Sequence, residues 1–174
     1  TVSRLLIDLN RPVGHPQLYS AVTRNTPAEV RAGIARRYHE PYLAKVEHLV
    51  RKSVDRGRRV IHISSHSFTG ELNGKQRRAD VGLLYHPRRR GETELCALWK
   101  NRLAECAPEF RVRRNYPYEG RSAGLTAQLR RAFSAETYVG IELEINQNIV
   151  HAAGRPWNRL RSVLPRSLLA ASSS

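Results

Sequence analysis

The sequence predicts an α/β fold, a mixed β-sheet flanked by helices on both faces, on three observations. Short runs rich in β-branched residues alternate with longer stretches of helical apolar periodicity, the pattern of a sheet with helices laid on it. Gly, Pro and Asn mark the junctions between them. Hydrophobic residues make up 40% of the 174, enough for one core, and no internal repeat or linker divides residues 1–174, which read as a single domain.

Residues 2–9 are apolar and branched and break at Asn10-Arg11-Pro12, so they read as a buried strand delivering a loop. Thr26-Pro27-Ala28-Glu29 offers a Thr cap, a Pro at the first helical position and the Glu of a capping box. Val30, Ile34, Tyr38, Leu43, Val46 and Val50 continue a helical stripe that Pro41 interrupts and Gly57 closes, giving two helical pieces or one kinked helix. Residues 59–64 alternate as a strand ending in Ser65-His66-Ser67-Phe68. A loop over 69–78, carrying Gly70, Asn73 and Gly74, feeds a strand over 79–85.

Residues 92–107 place Leu95, Leu98, Trp99 and Leu103 on one helical face. Cys96 and Cys106 fall on that helix, about 15 Å apart at ~1.5 Å rise per residue, too far for a disulfide. A short strand (110–114), a loop (115–122), a helix (123–133) and a strand (138–145) follow. The last helix, over 156–170, has Trp157, Leu160, Val163 and Leu164 at helical spacing and an internal Pro165.

Thirty Lys and Arg against fifteen Asp and Glu leave a formal charge of +15, which brings anionic partners into view. Only Lys45, Lys52, Lys75 and Lys100 are lysines, an imbalance that genomic base composition also produces. The arginine runs are scattered over loops and helix ends with no binding motif linking them, so no specific nucleic-acid partner is expected. No apolar run is long enough to span a bilayer and no signal-peptide pattern opens the chain, so no membrane partner and a cytoplasmic location are expected. There is no Met, and the chain opens directly in a strand-like run, so a preceding segment is expected.

Polar groups gather at strand ends in four places: Asp8/Asn10/Arg11, His62/His66, Arg113/Arg114/Asn115/Tyr116/Tyr118 and Glu142/Glu144/Asn146. His66 suits a metal ligand, a general base or a hydrogen-bonded loop histidine. His62 lies four residues away, roughly 13 Å at ~3.3 Å per residue, too far to share one ion on a straight strand. Glu142 and Glu144 share one face of an otherwise apolar strand, where a carboxylate needs either an arginine partner or a chemical use. Asn10-Arg11 sets an amide beside a guanidinium fork, suited to a substrate carboxylate, while Arg11 suits pairing with Asp8 equally.

Seven strings in order resemble the N-formylglutamate amidohydrolase family. They are Leu6-Ile7-Asp8-Leu9-Asn10-Arg11-Pro12, His66-Ser67-Phe68-Thr69, Leu72-Asn73-Gly74, Ala79-Asp80-Val81-Gly82-Leu83-Leu84-Tyr85, Arg113-Arg114-Asn115-Tyr116-Pro117-Tyr118, Gly124-Leu125-Thr126 and Gly140-Ile141-Glu142-Leu143-Glu144-Ile145-Asn146-Gln147. The resemblance implies a zinc-carboxypeptidase-like sheet, similar also to the aspartoacylase group, and hydrolysis of N-formyl-L-glutamate to L-glutamate and formate within amino-acid metabolism, in histidine degradation. It implies His66 as a zinc ligand, Asn10 and Arg11 as the clamp for the α-carboxylate, and Glu144 as the acid/base. Arg114, Asn115, Tyr116 and Tyr118 would line the pocket and meet the second carboxylate of a small acidic N-acyl amino acid.

The family carries further metal ligands in a Glu-His segment upstream of the Asp-Leu-Asn-Arg strand, so the remaining zinc ligands are expected before residue 1 and the chain as given is expected to be inactive. Gly70 stands where the family usually has Pro, His86 where Asp is usual after Leu-Leu-Tyr, and Ala123 where Asp is usual before Gly-Leu-Thr. A non-catalytic relative that binds a carboxylate ligand or a protein partner is the alternative, with a basic nucleic-acid-binding protein behind it. If the hydrolase reading holds, Asn10, Arg11, His66 and Glu144 should face one cleft.

Overall fold

The computed structural model describes residues 2–121, 124–152 and 154–173. In chain order its elements begin with α1 (Ala28–Ile34), a π-helical turn (Ala35–His39), α2 (Glu40–Val54), β1 (Val60–Phe68), β2 (Glu71–Leu72), β3 (Lys75–Gln76) and β4 (Val81–Leu84). They continue with α3 (Arg90–Cys106), β5 (Val112–Arg114), α4 (Leu125–Ala132), β6 (Tyr138–Asn146), α5 (Gln147–Ala152) and α6 (Gly154–Ser172). Two compact units result, one of Thr1–Val60 with Ala123–Tyr138, the other of Ile61–Ser122 with Val139–Ser174.

In the first unit, α1 passes through the π turn into α2 with the Glu40 amide bonded to the Ala35 carbonyl five residues back. Pro41 sits in the first turn of α2. A proline brings no N–H to the ladder and crowds the carbonyl one turn earlier, and a widened turn relieves both. The two expected helical pieces are therefore joined by a π turn. The expected capping box does not form: Pro27 occupies the cap position, and the Thr26 hydroxyl donates to the Thr23 carbonyl at 2.8 Å instead. Leu43, Val46, Val50 and Val54 line the face of α2 that packs on Leu125 and Leu129 of α4, with Phe133 and Tyr138 closing the cluster.

Residues 2–9 are not a strand. The amides of Leu6 and Ile7 both bond to the Ser3 carbonyl, at 2.9 and 3.3 Å, which closes a turn and ends the strand-like alternation of side chains. Ile7 is buried with Leu18 and Ala35, whereas Leu5 is exposed.

In the second unit the sheet runs in the order β1-β6-β4-β5. β4 pairs antiparallel with β6 and parallel with β5, so the sheet is mixed. Both inner strands, β4 and β6, are buried along their whole length. Leu95, Trp99 and Leu103 of α3 and Leu160, Val163 and Leu164 of α6 form one core with Val81, Leu83, Val139, Ile141 and Leu143 of the sheet. The Trp99 indole N–H, which burial would otherwise strand, donates to the Ser167 hydroxyl at 2.9 Å. Leu98, expected on the buried face of α3, is exposed, and neither cysteine is in a disulfide.

Two expected loops are ordered structure. β1 runs on through His66 to Phe68, because its serines and histidines continue the strand on the outer edge of the sheet. Within 69–78, Asn73 (φ 51°) and Gly74 (φ 73°) form the two-residue turn of the β2–β3 hairpin, an Asn-Gly pair being suited to two successive positive φ values. No helix among the described residues is long and apolar enough to cross a membrane.

Candidate functional site

The inner strand β6 carries Glu142 and Glu144 into a buried setting. Glu144 is in register with Gly82 of β4, which is in turn in register with Arg113 of β5. Residues in register share a face, so Arg113, Gly82 and Glu144 lie in a row on one side of the sheet. Gly82 is required there: the Tyr116 carbonyl lies over its α-carbon, and a Cβ would strike that oxygen and crowd the Glu144 side chain. The Arg113 guanidinium stands 4.4 Å from the centre of the Tyr116 ring, and that ring meets Phe68 edge-on at 6.4 Å. Phe68 and His66 alternate onto the same face of β1, which brings His66 to the Glu144 side of the sheet. Ser64, also on that face, places its hydroxyl 2.9 Å from His66 Nε2.

Arg114 is placed elsewhere. It is in register with Leu83, itself opposite Leu143, on the face where the apolar core sits. Arg113, one residue earlier, takes the Glu144 face, a distinction that depends on register and cannot be read from the Arg-Arg pair. Asn115 holds the backbone. Its side-chain oxygen accepts the amides of Tyr85 at 2.9 Å and Gly120 at 3.2 Å, so it ties the 115–120 loop to the end of β4. Within that loop Tyr116 joins the row just described, and Tyr118, joined to Pro117 beyond a cis Tyr116-Pro117 bond, accepts a hydrogen bond from Arg77 at 3.0 Å.

Asn10 and Arg11 belong to the first unit. The Asp8 carboxylate organises them: one oxygen accepts the Asn10 amide at 3.0 Å, and the other accepts Arg4 Nε at 3.0 Å and lies 3.7 Å from Arg11 Nε. The Asn10 side-chain oxygen accepts the Leu125 amide at 2.8 Å at the start of α4. The Arg11 carbonyl accepts His39 Nε2–H at 2.7 Å, and His39 is fully buried at the end of the π turn. Its Nδ1 has no hydrogen-bond partner among the described residues. Nothing in the local sequence marks His39, since its role follows from a contact 28 residues away. Replacing His39 with Ala is expected to lower unfolding free energy by about 1–3 kcal/mol, because it strands the Arg11 carbonyl. Chemical denaturation checks this, with His39→Gln, which keeps a donor, losing less.

Of the three departures from the family pattern, Gly70 lies against the side-chain amide of Asn148, in space that a Cβ would fill. The His86 amide donates to Glu92 at 2.8 Å, ahead of α3. Ala123 lies outside the described residues. Nothing in the sequence singles out Glu92, the most buried acid among the described residues of the second unit. Besides His86, it accepts the Gly140 amide at 3.2 Å and pairs with Arg89 Nε at 3.2 Å.

No group of three or more His, Cys, Asp or Glu side chains among the described residues could hold a metal ion. A catalytic zinc takes three protein ligands, so these residues on their own do not fit the zinc that the family resemblance implies.

The arrangement matches known proteins in both sequence and fold. A family profile described as N-formylglutamate amidohydrolase matches residues 1–150. The structure aligns with that of gene product Atu2144 from Agrobacterium tumefaciens with a TM-score of 0.80 at 23% identity, over 98% of this chain and 68% of that one. It aligns with N-formylglutamate amidohydrolase from Ralstonia eutropha JMP134 with a TM-score of 0.73 at 22% identity, over 98% of this chain and 73% of that one. Comparison with curated proteins gives no match. The two structures share this chain's α/β fold, a mixed sheet flanked by helices, and the profile spans most of its length: the chain belongs to the N-formylglutamate amidohydrolase family.

Proposed function

We propose that the chain hydrolyses the amide of a small acidic N-acyl amino acid, with N-formyl-L-glutamate as substrate. The observation that carries the reading is Glu144: a buried carboxylate on an inner strand, with Arg113 in its row and His66 on its side of the sheet. A carboxylate in such a place suits proton transfer. Glu144 takes a proton from the attacking water, the new C–O bond forms at the formyl carbon, and the C–N bond breaks as Glu144 returns the proton to the leaving amine. Formate and the free amino acid leave. Asn10 and Arg11 take the substrate's α-carboxylate, a role that the Asp8 anchor beneath them supports.

Formate release from N-formyl-L-glutamate, with and without added zinc, tests the reaction on two preparations: the chain as given, where little or none is expected, and the chain joined to the family's upstream Glu-His segment. Formate above a no-protein control from the joined protein is the expected result, and none from it under either condition would remove the reading. In the active preparation, Arg11→Ala is expected to raise KM about 10- to 100-fold with kcat changing far less, since a carboxylate clamp acts alike in ground and transition states. A change confined to kcat would take Arg11 out of substrate binding.

A further inference from the structure

We propose that Arg77 reads the side-chain carboxylate of the substrate and so sets selectivity for an acidic N-acyl amino acid; this rests on the hydrolase reading above. Arg77 is a partly buried residue whose guanidinium contacts two rings, with its carbon 5.1 Å from the centre of Tyr118 and 5.9 Å from that of Phe68. Its Nη1 donates to the Tyr118 hydroxyl at 3.0 Å. The backbone is fixed as well: the Arg77 amide donates to the Gly70 carbonyl at 2.7 Å, and its carbonyl accepts Asn146 Nδ2 at 3.2 Å.

Held in this way, the guanidinium keeps most of its five donors for another partner. No carboxylate of the described residues pairs with it, whereas Arg11 lies by Asp8 and Arg89 by Glu92. The two rings orient the cation without supplying an acid, and an incoming carboxylate meets it through a two-pronged hydrogen bond. The position fits a group several bonds from the reacting amide. Phe68, which carries Arg77, also meets Tyr116, and the Tyr116 carbonyl lies over Gly82 beside Glu144. Arg77 thus takes the second-carboxylate role expected of Arg114 and Asn115, of which one is aligned with the apolar face and the other is engaged by backbone amides.

The test is kcat/KM for N-formyl-L-glutamate, N-formyl-L-glutamine and N-formyl-L-methionine with the preparation joined to the upstream segment, as wild type, Arg77→Met and Arg77→Lys. The wild type is expected to favour glutamate over glutamine about 10- to 100-fold, the range of a charge-assisted pair. In Arg77→Met the ratio falls toward one, and Arg77→Lys, which keeps the charge and loses the fork, lies between. Each ratio is taken within one variant, so a lower folded fraction cancels. Calorimetric binding of L-glutamate against L-glutamine to the same three proteins should follow the same order. A preference that survives Arg77→Met, or a wild type that accepts all three substrates equally, overturns this inference and leaves the hydrolase reading standing. Formate from none of the three overturns both.

Discussion

Glu144→Gln is expected to lower formate release from N-formyl-L-glutamate about 100- to 10,000-fold, the usual worth of a positioned general base. Glutamine keeps the shape of the side chain beside Gly82 and loses the ability to accept a proton. The fold should therefore survive, with thermal unfolding close to that of the wild type, and KM should change far less than kcat. Turnover within a few-fold of wild type would show that the proton goes elsewhere, with Glu142, two residues away on the same buried strand, as the next to test.

Glu92→Ala is expected to be the most damaging single change to stability. One side chain serves the His86 amide, the Gly140 amide and Arg89, and so ties the turn before α3 to the inner strand β6. Truncation leaves two backbone donors and a mostly buried guanidinium without it, a loss of about 3–5 kcal/mol by analogy with broken buried ion pairs. For a chain of this size that is a fall of roughly 10 °C in Tm. Glu92→Gln keeps one acceptor and should lose about half as much, since the charge-assisted part of each bond is gone. Equal Tm values for wild type and Glu92→Ala would show that this carboxylate does not hold the two elements together.

The elements legible in the sequence are those with a long, uninterrupted period. α3 shows its buried stripe at Leu95, Trp99 and Leu103, and β6 shows a strand over 138–145, one residue short of its observed end. Elements whose identity depends on distant partners were not legible. Residues 2–9 have the composition of a strand and fold as a turn on the Ser3 carbonyl. His66 and Phe68 look like loop residues because polar side chains on an edge strand carry no apolar alternation.

The candidate site divides along the same line. Glu142 and Glu144 stand out together because carboxylates inside an apolar run conflict with their surroundings, and that conflict is local, whereas the choice of Glu144 between them rests on the family resemblance. The choice between Arg113 and Arg114 is set by pairing with β4, and the role of Asn115 by amides at positions 85 and 120. His39 and Arg77 have no neighbour in sequence that announces their partners, and Glu92, though close to Arg89, takes the Gly140 amide from 48 residues away.

Asn10 carries a consequence for the polarity of what can bind it. An amide side chain is ambivalent, with one end that accepts and one that donates, and a free asparagine can turn either end toward a ligand. Here the Leu125 N–H occupies the oxygen end, so rotation would set two donors against each other. Asn10 is locked as a donor: an acceptor such as a carboxylate or a carbonyl meets it favourably, while an ammonium group meets another N–H. The start of α4 thereby fixes the sign of the ligand group that the Asn10 side chain can take.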